Sequence, residues 1–338
     1  MASSTSLSRR PAFGLRPAPA VAVLLGALAL LDVLWQAFEK GLGDSGNVPT
    51  FILVTLNGLT LAGLYFITAS GLTLIFGLLR VTNLAHGALF LLGGYVALRA
   101  TQNGTPWVLA AALAMVVSGA VGLVIHQLFL RWNQGQDLRQ ALITIAASLI
   151  LADQMLAHYG GTPTAIPPPT FLAPPLNLHV YGLFYPWFRI SMLIAAVIVG
   201  LLFWLVLRGT RVGMVVRAGV DDTAMTSALG VNVQWVFAGA FFVGSALAGL
   251  GGVFAGTALS LAPGQDQAFL ISALVVVIVG GMGSLGGAAL GALLLGMVDQ
   301  YSSAYLPAAY SNLSALLTFV LLAVILAVRP TGLFGRAA

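Results

Sequence analysis

The chain has 338 residues, of which 59% are hydrophobic and 7% are charged, and its mean hydropathy is +1.00. Soluble globular proteins carry about 25% charged residues, so this composition excludes a water-soluble fold and indicates a protein that lies in a lipid bilayer. The net charge of +5 does not predict nucleic-acid binding, because the arginines stand singly at the ends of apolar segments. The absence of cysteine excludes disulfides and thiolate metal sites.

Apolar segments of roughly membrane-spanning length recur along the chain. They fall near residues 21–38, 51–78, 84–99, 107–130, 140–157, 190–207, 236–261, 269–298 and 311–328. The first has no clean small-residue cleavage site, so we expect an uncleaved span rather than a signal peptide. The sequence therefore predicts an all-α polytopic membrane protein with about eight transmembrane helices plus broken or re-entrant segments. We expect a single transmembrane domain over residues 21–330.

The basic residues predict the orientation of these segments, because arginine and lysine are enriched on the cytoplasmic side. Arg9, Arg10 and Arg16 place the N-terminal tail, residues 1–20, in the cytoplasm. Counting crossings from there places the polar loop 208–234 inside as well. The Pro-rich stretch 158–189 then lies outside, where prolines suit an irregular loop.

Segment 269–298 conflicts with this count if it forms a single span, because the C-terminal tail with Arg329 would then lie outside. The segment consists of two apolar halves around a glycine-rich stretch from Gly280 to Gly287. If the halves form a re-entrant hairpin or two short helices, the tail 331–338 returns to the cytoplasm. Irregular backbone at membrane depth survives only where protein or a water-filled path covers it. We therefore include Gly281 and Gly283 among the candidate residues of a translocation path.

Segment 71–98 has a similar build, with an apolar half, a polar break and a glycine-bearing apolar half, so the two segments form a possible inverted repeat. The break contains Asn83, His86 and Gly87, which are candidate path residues. A satisfied hydrogen bond between helices is the alternative for the two polar side chains. For Arg80, the alternative interpretation is an ordinary basic residue in a tight cytoplasmic hairpin.

The preceding span carries Asn57, Thr60 and Thr68 on one side of a helix. Such a stripe predicts a polar path through the membrane. The alternative is that the threonine hydroxyls bond to carbonyls of their own helix.

Loop 208–234 predicts two short helices, at about 212–218 and 222–229. Asp221 or Asp222 can cap the second helix, and Gly230 fits the left-handed position that ends it. An apolar face on this helix suits a soluble partner; the residues are Ala224, Met225, Ala228 and Leu229. A plain amphipathic linker is the alternative.

Several catalytic motifs are absent from the sequence. It has no phosphate-binding loop of the Gly-x-x-x-x-Gly-Lys-Ser/Thr type, no His-Glu-x-x-His helix and no Gly-x-Ser-x-Gly elbow. We therefore expect neither an enzyme nor a cofactor. Intramembrane carboxylates are scarce, which argues against a carrier coupled to protons or sodium.

Three stretches carry a resemblance to a known family: GLTLIFGLLRVTNLAHGALFLLGGY (71–95), RVGMVVRAGVDDTAMTSALGVN (211–232) and VVVIVGGMGSLGGAALGALLLGMVDQ (275–300). Over about residues 50–335 the chain resembles the permease subunits of branched-chain amino acid ABC transporters of the LivH/LivM type, and it is closer to LivH. Ala88 stands where the family commonly has an acidic residue, and related permeases carry urea, amides or aromatic acids.

The resemblance implies a permease subunit of an ATP-driven importer in the cytoplasmic membrane. It implies a second permease subunit, two cytoplasmic ATP-binding subunits and an extracytoplasmic solute-binding protein as partners, with no nucleic acid. It also implies that 211–232 docks on the ATPase, through Arg211, Gly213, Arg217, Ala218, Asp222, Ala224, Ala228, Leu229 and Gly230. The alternatives are a self-contained carrier or channel for a solute such as urea or an amide, and a structural membrane partner.

Overall fold

The computed structural model describes residues 17–43, 47–79, 81–179, 181–221, 223–306 and 314–335. These residues form α1 (Pro17–Leu42), α2 (Val48–Leu79), α3 (His86–Gln102), α4 (Trp107–Ile125), α5 (Asp137–Tyr159), α6 (Trp187–Gly209), α7 (Arg211–Asp221), α8 (Thr223–Ala228), α9 (Val233–Ala258), α10 (Gln265–Gly280), α11 (Leu285–Tyr305) and α12 (Ser314–Val328). Two short strands, β1 (Pro175–Asn177) and β2 (Phe184–Pro186), pair antiparallel between α5 and α6. The helix of α4 continues through a π-helical turn over His126–Leu130 and a 3-10 turn over Arg131–Asn133.

The fold is an all-α polytopic membrane protein, as the sequence predicts. Within the described part of the chain, five helical segments are long and apolar enough to cross a membrane: α2, α4 with its two continuing turns, α5, α6 and α9. Two further helices, α10 and α12, are apolar and shorter.

Helices α2 and α9 form the centre of the bundle. In the most apolar 18-residue stretches of α2 and α9, 78% and 72% of the residues are buried inside the bundle, whereas in α5 and α6 only 11% are. Glycines allow this close packing, because a Cβ on Gly71 would overlap the carbonyl of Gly244 in α9. Small residues at helix contacts let backbones approach within a membrane, where burial from water supplies no driving force.

The predicted segment 269–298 forms two helices, as the charges require. A Cβ on Gly280 would overlap the backbone of Gly287, and one on Gly291 would overlap Val276, so α10 and α11 pack antiparallel around the turn 281–284. Ser284 caps α11 by accepting a hydrogen bond from Gly287 N at 3.1 Å. Helix α11 therefore returns the chain to the end of the bundle at which α10 begins.

The connections lie at two opposite ends of the bundle. At one end the turn 281–284 lies beside Gly77 of α2 and beside the tail 329–335, where Leu333 N donates to Val279 O at 2.9 Å. We call this the arginine-rich end, because it carries Arg131, Arg139, Arg208, Arg211, Arg217 and Arg329. The tail and loop 208–234 thus share one end, which agrees with the charge count.

The opposite end, which we call the β-hairpin end, holds the Pro-rich stretch. This stretch is more regular than the sequence predicts. It contains the β1–β2 pair, and Thr164 and Leu261 also exchange backbone hydrogen bonds of 2.9 and 2.7 Å. The external loop that the sequence predicts to be irregular therefore contains one short paired element, in which strand pairing satisfies backbone groups.

Exposed tryptophans mark the arginine-rich end as a membrane interface. Arg131 lies over the ring of Trp132 at 5.3 Å, and Arg208 lies over the ring of Trp204 at 5.7 Å. Tryptophan is enriched at headgroup depth, where its ring meets apolar chains and its N–H meets water.

Candidate functional site

The polar break after α2 turns the chain back into the bundle. His86, the first residue of α3, places its Nε2 at 2.9 Å from the carbonyl oxygen of Thr68. Thr68 lies eleven residues before the end of α2 at Leu79, which at 1.5 Å per residue is about 16 Å of helix. Helix α3 therefore begins beside the middle of α2 rather than at its end.

Asn83 and His86 are completely buried in this break. A carbonyl only accepts hydrogen bonds, so His86 donates from Nε2 and its Nδ1 is the acceptor. Asn83 Oδ1 accepts from Ala85 N at 3.2 Å. Asn83 Nδ2 and His86 Nδ1 have no hydrogen-bond partner among the described residues. Buried polar atoms of this kind are costly unless water or a solute satisfies them.

Gly87 brings the start of α3 against the start of α10. A Cβ on Gly87 would overlap the backbone carbonyl of Asp266, which is itself buried. A second carboxylate, Asp299 of α11, accepts a hydrogen bond from Tyr65 Oη at 2.8 Å. Sequence reasoning missed both residues, although ionisable groups beside apolar segments are a general signal of a functional site.

Asn57 and Thr60 lie at the β-hairpin end and contact the external segment. Thr60 Oγ1 lies 2.8 Å from the Tyr185 hydroxyl, which donates to Asn57 Oδ1 at 3.1 Å. Arg189 also donates to Asn57 Oδ1. The hydroxyl of Thr68 donates to Leu64 O at 3.1 Å, the bond to its own helix that we gave as the alternative.

The two candidate glycines of the late segment lie at the arginine-rich end. Gly281 has a φ of +99°, and a Cβ on it would overlap the tail at Gly335. Gly283 packs against Gly77. The structure thus separates the candidate path residues into the break, this turn and the β-hairpin end.

Loop 208–234 forms α7 and α8 almost where the sequence predicts them. Gly213 is buried against the carbonyls that end α6, whereas Leu229 is 74% exposed. Gly230 has a φ of +83°, the left-handed conformation expected after this helix. The remaining surface residues of the loop are exposed: Arg211, Arg217, Ala218 and Ala228. Ala224 lies in α8, and Asp222 lies outside the described residues.

Helix α7 is joined to the core through Val216. This side chain packs against a cluster that contains Leu78 of α2 together with Val233 and Phe237 of α9. Leu78 precedes the break by only a few residues. The loop therefore contacts the part of α2 that leads into the break.

A cavity of about 510 Å³ adjoins the break at the arginine-rich end. It lies between the end of α2 and the first turn of α5, and it is lined by Phe76, Val81, Thr82, Asp137, Leu138, Gln140 and Ala141.

These features define a polytopic membrane protein with a buried polar break at its centre and a helical loop that projects from one end. The family that matches residues 54–328 is described as branched-chain amino acid transport system / permease component. The chain belongs to this family and is a membrane permease component.

Individual relatives agree with this assignment. The chain is 30% identical over 295 residues to the high-affinity branched-chain amino acid permease BraD of Pseudomonas aeruginosa, covering 83% of this chain and 94% of the relative. It is 30% identical over 299 residues to LivH of Escherichia coli, covering 85% and 96%. A probable LivH of Methanocaldococcus jannaschii is 24% identical over 288 residues, covering 81% and 89%. No solved structure matches the chain significantly.

Proposed function

We propose that this chain is the permease subunit of an ATP-driven importer for branched-chain amino acids or a similar small amphipathic solute. It has no ATPase site of its own and works with two cytoplasmic ATP-binding subunits. A second permease subunit, identical or different, completes the membrane part, and an extracytoplasmic solute-binding protein delivers the solute. Both termini and the arginine-rich end face the cytoplasm. The names of the relatives, the positions of the arginines and the missing phosphate loop support this proposal.

The packing of Val216 against the cluster that contains Leu78 is the observation that carries the mechanism. In this mechanism the exposed side of α7 and α8 docks on the ATPase, through the exposed residues of the set from Arg211 to Gly230 that the family resemblance implies. Gly213, which is buried against the end of α6, supports the loop from behind. Closure of the ATPases moves α7, and α7 moves the end of α2 and the break. A packed apolar contact transmits such a shift because side chains in a dense interior cannot pass through one another.

The solute path follows the break, where Asn83, His86 and Gly87 lie, toward the turn at Gly281 and Gly283. The unpartnered buried atoms of Asn83 and His86 support this route, because a passing solute or water would satisfy them. Asn57 and Thr60 lie at the end where solute enters, and their bonds to Tyr185 and Arg189 give them a positioning role there.

Reconstitution with the cognate ATPase and binding protein tests the proposal. We expect uptake of radiolabelled L-leucine into proteoliposomes only when ATP is present on the cytoplasmic side. Leu229→Asp introduces a charge on the exposed side of the loop and should reduce both co-purification of the ATPase and uptake by ~10-fold or more, since the charge must be desolvated on docking. Asn177→Ala, at the β-hairpin end, is the matched control. Uptake that proceeds without ATP, or that is unchanged in Leu229→Asp, contradicts the proposal.

A further inference from the structure

Tyr65 and Asp299 form a polar pair at membrane depth. Asp299 follows the start of α11, at Leu285, by fourteen residues, which is about 21 Å of helix measured from the arginine-rich end. It precedes the end of α11, at Tyr305, by six residues. The carboxylate therefore lies within the bilayer core, which is roughly 30 Å thick. A carboxylate at this depth is costly unless protein or water surrounds it.

Asp299 lies on the side of α11 that faces the bundle. Ala292 and Leu295 precede it by seven and four residues, the spacings of one helix face. Both are buried, with exposed fractions of 0% and 1%, whereas Asp299 is partly exposed. A partly exposed side chain on a face that is otherwise buried shows that an opening reaches it between the helices. The carboxylate therefore faces a space inside the bundle rather than lipid.

One oxygen of this carboxylate is held and the other is free. Oδ2 of Asp299 accepts a hydrogen bond from Tyr65 Oη at 2.8 Å. Oδ1 accepts none from the residues that the structure describes, and it is not among their fully enclosed atoms without a partner. In this it differs from Asn83 Nδ2 and His86 Nδ1, which are enclosed. A ligand that enters the space can therefore reach Oδ1.

Two hydroxyl groups lie next to this carboxylate or beside its partner. Tyr65 is 8% exposed, and its ring lies 6.0 Å from the ring of Phe269 in α10. Ser272, one turn further along α10, lies beside the Tyr65 hydroxyl and donates to Ala268 O at 3.0 Å. Both hydroxyls donate their protons within the protein, so their oxygens remain free to accept hydrogen bonds.

An ammonium group has the matching chemistry, because it carries a positive charge and three N–H donors. We propose that Tyr65, Ser272 and Asp299, named here the ammonium site, bind the α-ammonium group of the amino acid on its way through the bundle. Asp299 supplies the charge, and Tyr65 fixes the direction of the carboxylate. This assignment rests on the proposed import function and names the residues that recognise one group of its solute.

Equilibrium binding of tritiated L-leucine to the purified, nucleotide-free complex of permease and ATPase tests the site. Asp299→Asn keeps the shape and removes the charge, and we expect its Kd to rise by ~10-fold or more, the range for a hydrogen bond to a charged group. Asp299→Glu keeps the charge and should bind leucine more tightly than Asp299→Asn does. Asp153→Asn, which changes an exposed carboxylate on α5, is the matched control and should bind as the wild type does.

Two smaller changes test the hydroxyl groups. Tyr65→Phe keeps the ring against Phe269 and removes only the hydroxyl, so we expect its Kd for leucine to rise by ~3-fold or more. If Asp299→Asn does not fold, Ser272→Ala tests the site from the partly exposed flank of α10, and we expect a similar rise.

Competition with 2-hydroxy-4-methylpentanoate, which has a hydroxyl in place of the ammonium group, separates this site from a pair that only joins α2 to α11. We expect the compound to compete ~10-fold less well than leucine in the wild type, and the difference to shrink in Asp299→Asn. A purely structural pair would lower the melting temperature of Asp299→Asn and leave the difference unchanged.

The site is wrong if the wild-type complex does not bind leucine, if the hydroxy acid competes as well as leucine, or if Asp299→Asn matches the wild type in both measurements. Uptake assays keep this failure separate from a failure of the import function. ATP-driven leucine uptake by the wild type with a normal Asp299→Asn variant removes the ammonium site and leaves the importer. No ATP-driven uptake of leucine, isoleucine or valine by the wild type removes both.

Discussion

The two ends of α2 are held by different kinds of contact. At the β-hairpin end, Thr55 Oγ1 lies 3.0 Å from the Tyr301 hydroxyl, and Asn57 and Thr60 bond to Tyr185. At the arginine-rich end, Leu78 packs in an apolar cluster with Val216 and Gly77 lies against Gly283.

This difference indicates which end moves. Hydrogen bonds require defined distances and angles, so a cluster of them holds a helix in one position. Apolar contacts are non-directional, and a helix surface of small residues has no large side chains that would interlock with a neighbouring helix. We therefore expect the β-hairpin end of α2 to stay fixed while its arginine-rich end shifts with α7. The following predictions test this contrast, from the largest effect to the smallest.

The largest effect is expected between the two ends, where α3 meets α10. Gly87→Val places side-chain atoms onto the backbone carbonyl of Asp266, which cannot move without displacing α10. We expect little folded permease in detergent, measured by size-exclusion profile and thermal melting. Gly239→Val is the matched control, because no described atom lies within 4 Å of a Cβ at Gly239. A Gly87→Val protein that elutes and melts like this control contradicts the close approach.

An intermediate effect is expected from Asn57→Ala at the fixed end. The substitution removes the shared acceptor of Tyr185 and Arg189. The loss should cost about 1–3 kcal/mol, because it leaves the half-buried Arg189 guanidinium without this acceptor and leaves the buried Tyr185 hydroxyl with Thr60 Oγ1 alone. We expect a lower melting temperature of the purified permease with its ATPase still bound. Asn177→Ala, which removes the exposed acceptor of His179 N, should change the melting temperature much less. Equal changes in the two variants would contradict the claim that the hydrogen bonds of Asn57 hold this end of α2.

The smallest effect is expected from a polar contact at the moving end. Gln134 and Gln234 exchange two side-chain hydrogen bonds of 3.1 and 3.2 Å between the end of the α4 segment and the start of α9. Gln134 is exposed and Gln234 is partly exposed, so water replaces the lost bonds in Gln134→Ala, and the cost should stay below about 1 kcal/mol. Melting temperature and leucine uptake should match those of the wild type. A large loss in either measurement would mean that hydrogen bonds hold this end as well.

The sequence predicts the local features of the site well. The helices expected at 212–218 and 222–229 are observed at Arg211–Asp221 and Thr223–Ala228, because caps and glycines act on their own neighbours. The paired helices in 269–298 follow from length, glycines and the position of Arg329, which are also properties of the sequence.

Contacts between distant segments are what the sequence could not predict. Helical periodicity places Asn57 and Thr60 on one side of α2, but their partner Tyr185 lies 128 residues from Asn57. The contact of Gly87 with Asp266 depends on how two broken segments pack. The pairing of β1 with β2 was hidden because prolines weaken the strand pattern.

The most direct test of the central claim, that α7 moves the end of α2 and the break through Val216, uses cysteine accessibility. The chain has no native cysteine. Each of two single substitutions, Ala141→Cys in the cavity beside the break and Leu138→Cys at its exposed rim, therefore introduces one reactive thiol at a known place. We predict that a water-soluble thiol reagent modifies Ala141→Cys at different rates in the nucleotide-free and ATP-trapped complexes, while Leu138→Cys reacts similarly in both. Adding Val216→Asp should abolish the difference at Ala141→Cys although the ATPase still co-purifies. An equal rate in the two nucleotide states, or a difference that persists with Val216→Asp, contradicts the account.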